Sequence, residues 1–481
     1  MSEWLRRRGF AIALVVAITA AGTAYLRSWA VAHSAWKRDL QSAGFVDEMP
    51  GPSRGDRIVV VAPHPDDEVL GCGGLIQQAV AAGAEIHVVL MTNGDGSQLS
   101  LIFGERKLPW RPGAYVDLGR KRQQESRTAL ALQGLEARSI HYLGYPNAGL
   151  LAMWRPEHWR YSDPYQSPYT HVSFSPYPSS FTPGAPYCGQ QVLADLLTIL
   201  RQVRPTAIFV THPKDIHPDH WATCCFVRYA LASLAVGGAS WARETKVYGY
   251  LIHWPRYPQP VGLAPSRYLL PPSSLSGRDA GWFRLSLTAE QVKRKMQGIR
   301  TYGSQEPRFD RLMLSFARRN ESFEILPVTD AQEGTPTRWS GQDSHRRGLG
   351  GVELTGVDLT VTNRLAVRAD VTRRPQRLPR DGYIGLDLRT WSVHGAPVIT
   401  TAYVRDGDQI SAMRLGPATE VEELRGTALS RAPGRLEIAG LALPRDSAAP
   451  RDVFVTCWGS IRDRATDPAV VSWVRLRDTS D

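Results

Sequence analysis

Short apolar runs alternate with amphipathic stretches through the first two thirds of the chain. Five runs have the length and composition of buried strands: 58–62, 86–91, 139–143, 206–211 and 246–252. Five segments have helical periodicity: 71–82, 120–132, 190–203, 218–235 and 288–302. This alternation predicts a doubly wound, mostly parallel α/β sheet, in which ligands bind at the carboxyl ends of the strands.

The pattern changes near residue 331. A hydrophilic segment, 331–350, is predicted to be a linker, and short alternating runs follow it at 365–371, 398–404 and 452–458. Turn signals such as Asp406-Gly407-Asp408 separate these runs, so 351–481 are predicted to form an all-β, sandwich-like accessory domain. The α/β domain is assigned to 56–330, with a polar linker at 33–55.

The first 32 residues have the pattern of a membrane anchor or a signal peptide. Seventeen uncharged, mostly apolar residues, 10–26, follow the basic Arg6-Arg7-Arg8 and reach the lower limit for a transmembrane helix. The alternative is cleavage after Ala30-Val31-Ala32. Because basic residues stay on the cytoplasmic side, either interpretation predicts an extracytoplasmic catalytic domain. The chain is then a single-pass membrane protein, or a secreted or periplasmic one.

Composition narrows the picture. A length of 481 residues allows about two to three domains. The net charge of +11 comes mostly from arginine, since only seven basic residues are Lys, and it is not a signature of nucleic-acid binding. Five cysteines without a CxxC pair exclude a disulfide scaffold and a thiolate zinc site.

Two polar clusters follow predicted strands. Residues 62–68 (APHPDDE) come directly after the first strand and precede 71–74 (GCGG), and residues 211–220 (THPKDIHPDH) follow the fourth strand. Clustered carboxylates repel one another unless a cation or hydrogen-bond donors hold them. Helix capping is the alternative for the acids of the first cluster. Since both clusters lie at strand carboxyl ends, the fold brings them together.

The two clusters supply the ligands that a catalytic zinc requires. Such a site needs about three N/O ligands and an open position for water, and His64, Asp67 and His220 provide two imidazoles and a carboxylate. Asp66 is left as the base for the metal-activated water. His217 is left as a second proton donor or a partner for the oxyanion.

These motifs resemble the LmbE-like or PIG-L family of zinc-dependent N-acetylglucosamine deacetylases. Weaker similarity to the family lies at 122–129, 142–147 and 295–305, so the resemblance extends over roughly 56–326. It implies a Rossmann-like fold, Zn²⁺ on His64, Asp67 and His220, Asp66 as general base, and His217 as the group that steadies the oxyanion or protonates the amine. The implied substrate is an N-acetylated sugar or glycolipid.

The resemblance has departures, and they affect the substrate more than the chemistry. Asn147 stands where the family has Asp, and the Pro- and aromatic-rich segment 150–189, the N-terminal segment and the β-rich tail have no counterpart in compact members. Arg122, Asn147 and Asp215 are candidate substrate-binding residues. The alternatives are an intrahelical pair with Glu125 for Arg122, and a turn or the orientation of a ligand histidine for Asp215.

Several functional questions stay open at this point. Five aromatic residues of 150–189 either stack on sugar rings or pack as a lid: Trp154, Trp159, Tyr161, Tyr165 and Tyr169. The chain is either the deacetylase, a non-catalytic glycan-binding or scaffolding protein, or a zinc hydrolase of a non-sugar amide or ester. Predicted partners are the acetylated sugar and the membrane, without nucleic acid, and the oligomeric state is left open.

Overall fold

A computed structural model describes residues 46–477 with short gaps, together with Thr23, Leu26 and Arg27. The gaps are at 99, 106–110, 276–280, 306–310, 333–334, 341–352, 363–365, 375–381, 393–394, 406–408, 417–420, 425–427, 433–434, 443–451 and 462–463. Within the described part of the chain, no helix has both the length and the apolar composition needed to cross a bilayer. The predicted anchor or signal segment, 1–32, otherwise lies outside the described residues.

An eight-stranded sheet forms the centre of the first part of the chain. Its strands are β1 Asp47–Glu48, β2 Arg57–Ala62, β3 Glu85–Thr92, β4 Ile140–Tyr145, β5 Ala207–Thr211, β6 Lys246–Tyr250, β7 Trp282–Ser286 and β8 Asn320–Ile325. They are ordered β1-β7-β8-β6-β5-β2-β3-β4, and β2 to β6 run parallel. The predicted mostly parallel α/β sheet is confirmed, and the sequence pattern missed β7 and the antiparallel β8.

Helices cover both faces of this sheet. They are α1 Asp67–Ala82, α2 Pro112–Leu132, α3 Leu150–Trp154, α4 Gly189–Val203, α5 Pro218–Val236, α6 Ser240–Glu244 and α7 Ala289–Ile299, with short 3₁₀ or π turns at Ser100–Gly104, Ala137–Ser139, Pro156–His158 and Leu314–Phe316. Successive side chains of a strand point to opposite faces. Val60 and Ala62 therefore join the core with α1, α2 and α7, and Val59 and Val61 join the core with α3, α4 and α5.

Helix α1 packs unusually close to its neighbours. A Cβ atom at Gly71 would lie 2.3 Å from the Tyr250 ring, and one at Gly74 would lie 2.4 Å from Leu287, so these glycines have a packing role. The buried Glu321 accepts hydrogen bonds from the backbone N–H groups of Gly74 and Leu75 at 2.7 and 2.8 Å. The Lys295 ammonium lies 2.6 Å from the same carboxylate and neutralises it.

The remainder of the chain forms two antiparallel-rich sheets. Their strands are β9 Thr329–Gln332, β10 Thr337–Ser340, β11 Glu353–Thr362, β12 Ala366–Arg374, β13 Gly382–Trp391, β14 Pro397–Arg405, β15 Gln409–Leu415, β16 Val421–Glu423, β17 Ala428–Ala432, β18 Arg435–Ala442, β19 Asp452–Ile461 and β20 Arg464–Arg477. One sheet has the order β10-β11-β12-β18-β17, and the other β16-β15-β14-β13-β19-β20-β9.

The two predicted linkers need correction. Strands β9 and β10 lie in or overlap the segment 331–350, and β1 lies within 33–55, where it pairs with β7. The residues of β9 alternate between exposed and buried, because the strand adds to the edge of the seven-stranded sheet. A hydrophilic composition therefore does not identify a linker where a strand has one solvent-facing side.

The β-rich region shares a core with the α/β region. The fully buried Arg389 lies 3.4 Å above the Trp154 ring and 4.4 Å from the Trp159 ring centroid, and Asp387 neutralises it at 3.2 Å. Trp154 and Trp159 are both buried in this interface. The hypothesis that these two tryptophans stack on a sugar is therefore wrong, because their rings are covered by protein.

Candidate metal centre

The two polar clusters meet at the carboxyl ends of β2 and β5, which are neighbours in the sheet. His64 and Asp67 lie in the turn from β2 into α1, and His220 lies in the first turn of α5, after β5. All three side chains are buried, although a carboxylate and two imidazoles are strongly polar. Their burial requires partners of complementary charge or hydrogen bonding.

Three ligand atoms converge on one point. Oδ2 of Asp67 lies 3.1 Å from Nδ1 of His64 and 3.1 Å from Nε2 of His220, and these two nitrogens are 3.3 Å apart. Metal–ligand bonds of about 2.0–2.1 Å in tetrahedral geometry place ligand atoms about 3.3 Å apart. The arrangement of His64, Asp67 and His220 therefore fits one divalent ion of the size of zinc.

A carboxylate stands behind each of the two histidines. Nε2 of His64 lies 3.1 Å from Oδ2 of Asp219, and Nδ1 of His220 lies 3.1 Å from Oδ2 of Asp215. Each carboxylate accepts a hydrogen bond from the protonated nitrogen of its imidazole ring, so the unprotonated nitrogen of the same ring directs its lone pair toward the convergence point. Carboxylate–histidine pairs of this kind fix the tautomer and the ring orientation of metal ligands.

The electrostatics also favour a cation. Burial opposes protonation of His220, but Asp215 and Asp67 outweigh it and raise the pKa of this imidazole well above its ordinary value. In the same way Asp219 and Asp67 raise the pKa of His64 against the effect of burial. When both histidines are neutral, the negative charge of the carboxylates in the cluster is not balanced. A metal ion would balance it and take the place of the protons that the two rings would otherwise bind.

Asp66 lies beside this cluster in a strained backbone conformation, with φ at 130°. Its Oδ2 accepts hydrogen bonds from Nε2 of Gln305 at 2.7 Å and from Nη2 of Arg122 at 3.2 Å. Burial raises the pKa of Asp66 to about 7, against the opposing charge of Arg122. A carboxylate with this pKa can both accept and return a proton near neutral pH.

Glu68 holds the turn that carries Asp66. Its Oε2 accepts the backbone N–H of Asp66 at 2.8 Å, and its Oε1 accepts the hydroxyls of Ser126 and Tyr302 at 2.7 and 2.6 Å. Burial raises the pKa of Glu68. The third acid of the 62–68 cluster therefore supports the loop and faces away from the convergence point.

Two further histidines complete the cluster. Nδ1 of His217 accepts the backbone N–H of Asp219 at 3.2 Å, and the His217 ring lies 4.9 Å from the rings of His64 and His220. His253 lies 4.7 Å from His220. Ligand atoms of His217 with His64 and His220, and of His253 with Asp67 and His220, form wider groups within 4.8 Å.

The sequence interpretation missed His253. It lies three residues beyond β6, at the carboxyl end of the strand next to β5. The available signal was the same one that identified His64 and His220, a histidine just after a parallel strand. His253 does not belong to a dense polar motif, and this is why the pattern did not single it out.

The structure changes the interpretation of Arg122 and Asp215. Arg122 is buried and donates to the backbone oxygens of Gly94 and Pro65 as well as to Asp66, while Glu125 accepts from Ser304. The intrahelical pair is therefore wrong, and the guanidinium is occupied by protein. Asp215 is fully buried and makes the orienting contact with His220 that the sequence left open, while its predicted substrate contact stays untested.

Asn147 lies at the rim of the site. It is half-buried in the loop after β4, and its backbone N–H donates to the buried Asp95 at 3.0 Å. Asp95 also accepts the hydroxyl of Tyr177 at 2.7 Å. The structure leaves the predicted substrate contact of Asn147 untested. The sequence interpretation did not identify the supporting roles of Asp95, Asp219 and Gln305.

Comparisons with known proteins find a family model and several relatives that match part of this chain. Residues 59–231 match the family model for PIG-L, described as GlcNAc-PI de-N-acetylase. The 1D-myo-inositol 2-acetamido-2-deoxy-alpha-D-glucopyranoside deacetylase of Mycolicibacterium smegmatis is 31% identical over 188 residues, which cover 37% of this chain and 53% of that enzyme. The enzyme of the same name from Rhodococcus opacus is 31% identical over 167 residues, which cover 34% and 49%. The chain thus spans about half the length of the curated relatives that it matches.

Two solved structures also align with part of this chain. The N,N'-diacetylchitobiose deacetylase from Pyrococcus horikoshii aligns with a TM-score of 0.35 and 20% identity, over 60% of this chain and 91% of that one. A conserved protein from Thermus thermophilus aligns with a TM-score of 0.35 and 21% identity, over 57% and 96%.

Asp219 and Asp215, the carboxylates that orient His64 and His220, should affect the affinity for the metal. We expect Asp219→Asn and Asp215→Asn each to weaken Zn²⁺ binding by about 10- to 100-fold, because the rings lose the charge that orients them. Isothermal titration of metal-free protein measures this. Asp117→Asn, an exposed change on α2, is the matched control. Unchanged zinc affinity in both variants, with unchanged thermal unfolding, would contradict the proposed arrangement.

Proposed function

Because residues 59–231 match the PIG-L family model, we propose that the chain is a zinc-dependent hydrolase that removes the acetyl group from an N-acetylglucosamine-containing glycan or glycolipid. The observation that carries the proposal is the convergence of Asp67, His64 and His220 ligand atoms at 3.1–3.3 Å, with Asp66 beside them. A glycan-binding scaffold has no use for a base with a pKa raised to about 7 at such a cluster.

His64, Asp67 and His220 would hold the ion. When bound, zinc supplies Lewis-acid polarisation of the acetamide carbonyl and lowers the pKa of water. The protein's own groups then handle the protons. Gln305 and Arg122 both contact Oδ2 of Asp66, so Oδ1 is the oxygen that takes the proton of the attacking water.

His217 serves as a hydrogen-bond donor. Its Nδ1 accepts the N–H of Asp219, so the neutral ring carries its proton on Nε2. Burial and the neighbouring imidazoles lower the pKa of His217 well below its ordinary value, which keeps the ring neutral. Nε2–H therefore stabilises the negative charge that develops on the carbonyl oxygen.

The reaction then balances with one base. Water adds to the acetamide carbon and loses a proton to Asp66, the carbon–nitrogen bond breaks, and Asp66 returns that proton to the departing amine. The products are acetate and the free amino sugar. Of the two roles that the sequence left to His217, the geometry favours the oxyanion partner over the proton donor.

The first prediction from this mechanism concerns Asp66. We expect Asp66→Asn to reduce acetate release by at least about 10²-fold, because the base is lost while the shape of the side chain is kept. Bound zinc, measured by elemental analysis, should stay at the wild-type level, whereas His64→Ala should lose it. Near wild-type acetate release from Asp66→Asn would rule out Asp66 as the base.

The pH dependence follows from the same carboxylate. Without a cation, burial raises the pKa of Asp66 to about 7, and the ionised form is the active one, so kcat/KM should fall as the pH drops through the pKa of this carboxyl. A bound cation favours the carboxylate and moves this limb toward lower pH. Gln305→Ala removes a donor to the carboxylate and should move the limb back upward. A profile that is flat between pH 5 and 8 would contradict this assignment.

We also propose that the catalytic region acts outside the cytoplasmic membrane. The proposal is supported by the basic Arg6-Arg7-Arg8 followed by the uncharged segment 10–26. The full chain should fractionate with membranes, or with the periplasm or medium after cleavage, and added protease should reach its catalytic region in intact spheroplasts. Recovery of the full chain in the soluble cytoplasmic fraction would overturn the proposal.

A further inference from the structure

Two tyrosines of the segment 150–189 lie at the rim of the candidate metal centre. Tyr165 and Tyr169, here called the tyrosine wall, are both half-buried, unlike the fully enclosed Trp154 and Trp159 of the same segment. Burial, with smaller contributions from Asp219 and Tyr169, raises the pKa of the Tyr165 hydroxyl to about 12. Part of each of the two side chains is open to solvent.

Glycines provide the places on which these rings rest. A Cβ atom at Gly96, after β3, would lie 2.6 Å from Cδ2 of Tyr169 and 2.8 Å from Nδ2 of Asn147. A Cβ atom at Gly149, after β4, would lie 2.9 Å from Cε1 of Tyr165. Both rings therefore pack directly on the loops that follow β3 and β4, at the edge of the sheet where the metal ligands lie.

The loop beneath the tyrosine wall connects it to the metal ligands. The backbone N–H of Ala148 donates to Oδ2 of Asp219 at 2.6 Å, and the same oxygen lies 3.1 Å from Nε2 of His64. The rings are consequently separated from His64 by one loop and one carboxylate.

The wall is also held rigidly. Oγ of Ser167 accepts the backbone N–H groups of Tyr169 and Thr170 at 3.3 and 3.2 Å, and the Tyr165 N–H donates to the Tyr187 oxygen at 2.8 Å. Tyr169 further packs against Tyr115, with ring centroids 5.4 Å apart. A prepositioned aromatic surface loses little conformational entropy when a ligand docks on it.

We propose that Tyr165 and Tyr169 bind the sugar ring adjoining the N-acetylglucosamine unit, so that the enzyme prefers an oligosaccharide over the free monosaccharide. A pyranose presents C–H groups on its face and hydroxyls at its edge, which matches a tyrosine's apolar ring and polar hydroxyl. The wall is one loop away from the metal ligands, and this position suits the neighbouring sugar and not the one being deacetylated. The inference rests on the proposed deacetylase function.

The test compares substrates of different length. Acetate release is measured with N-acetylglucosamine and with its β-1,4-linked tetramer, for the full wild-type chain and for Tyr165→Ala and Tyr169→Ala. We expect the preference for the tetramer, measured as kcat/KM for the tetramer divided by kcat/KM for the monosaccharide, to fall about tenfold in each variant. Tyr165→Phe and Tyr169→Phe should keep most of the wild-type preference for the tetramer, because phenylalanine keeps the aromatic ring.

Controls separate the possible outcomes. Tyr161→Ala removes an exposed tyrosine from the same segment and should leave both substrates unaffected. Equal losses on the monosaccharide and the tetramer, or a wild-type enzyme that does not distinguish them, would overturn the proposal. If no substrate releases acetate, the proposed deacetylase function fails, and the affinity of the protein for the tetramer, measured by calorimetry, tests the tyrosine wall separately. Weaker binding of the tetramer to Tyr165→Ala than to the wild type supports the binding role of the wall. Absence of tetramer binding to the wild type overturns it.

Discussion

Two buried carboxylates, Asp215 and Asp219, determine how the candidate metal centre is assembled. Asp219 accepts hydrogen bonds from the His64 ring and from the backbone N–H groups of Ala148 and Leu150. Asp215 accepts hydrogen bonds from the His220 ring and from the backbone N–H groups of residues 217, 252 and 253. Each carboxylate thus joins a histidine to loops that follow other strands. Burial opposes ionisation of Asp215, but the charge of the His220 ring and its hydrogen bond lower the pKa of this carboxyl, so its negative charge persists in the core. The strand ends are held in place by the same groups that orient the ligands.

Helix α5 connects this centre to the β-rich region. His220 is in its first turn, and the next residue, Trp221, packs against Trp458 with ring centroids 5.4 Å apart. Farther along the helix, the Ser233 hydroxyl accepts a hydrogen bond from the Trp391 indole N–H. Arg228 donates hydrogen bonds to the backbone oxygens of Val471 and Pro327. Nearly every residue of α5 is buried, and a helix that is apolar on all sides must be enclosed on all sides. The sheet covers one side and the β-rich region covers another. The packing thus shows that the tail encloses part of the α/β core.

The sequence was sufficient where local pattern and global fold agree. The parallel strands are buried apolar runs, and His64, Asp67 and His220 follow them in dense polar motifs, so topology alone predicted their meeting. Sequence could not supply contacts that depend on a third element. Gln305 reaches Asp66 across 239 residues, and Arg122 contacts that same carboxylate where helical spacing favoured Glu125. Strands β9 and β10 were taken as part of a linker because exposed sides dilute the apolar signal, as the alternating burial of β9 shows. Strand β8 was missed for another reason: Asn320, Glu321 and Ser322 are buried polar residues and form no apolar run.

The segment 150–189 divides into a part that packs against the β-rich region and a part that lies near the candidate metal centre. Its first part places Trp154 and Trp159 against Arg389, whose buried charge requires Asp387 and the faces of both rings. Its later part returns along the rim, where Tyr165 is tied to Tyr187 and packs on Gly149. The two tryptophans anchor the start of the segment on the β-rich region. This anchoring also limits where the tyrosines that follow in the same segment can lie. Because the segment and the tail meet around one buried guanidinium, the two are best understood as one structural unit that encloses α5 and shapes the rim of the metal centre.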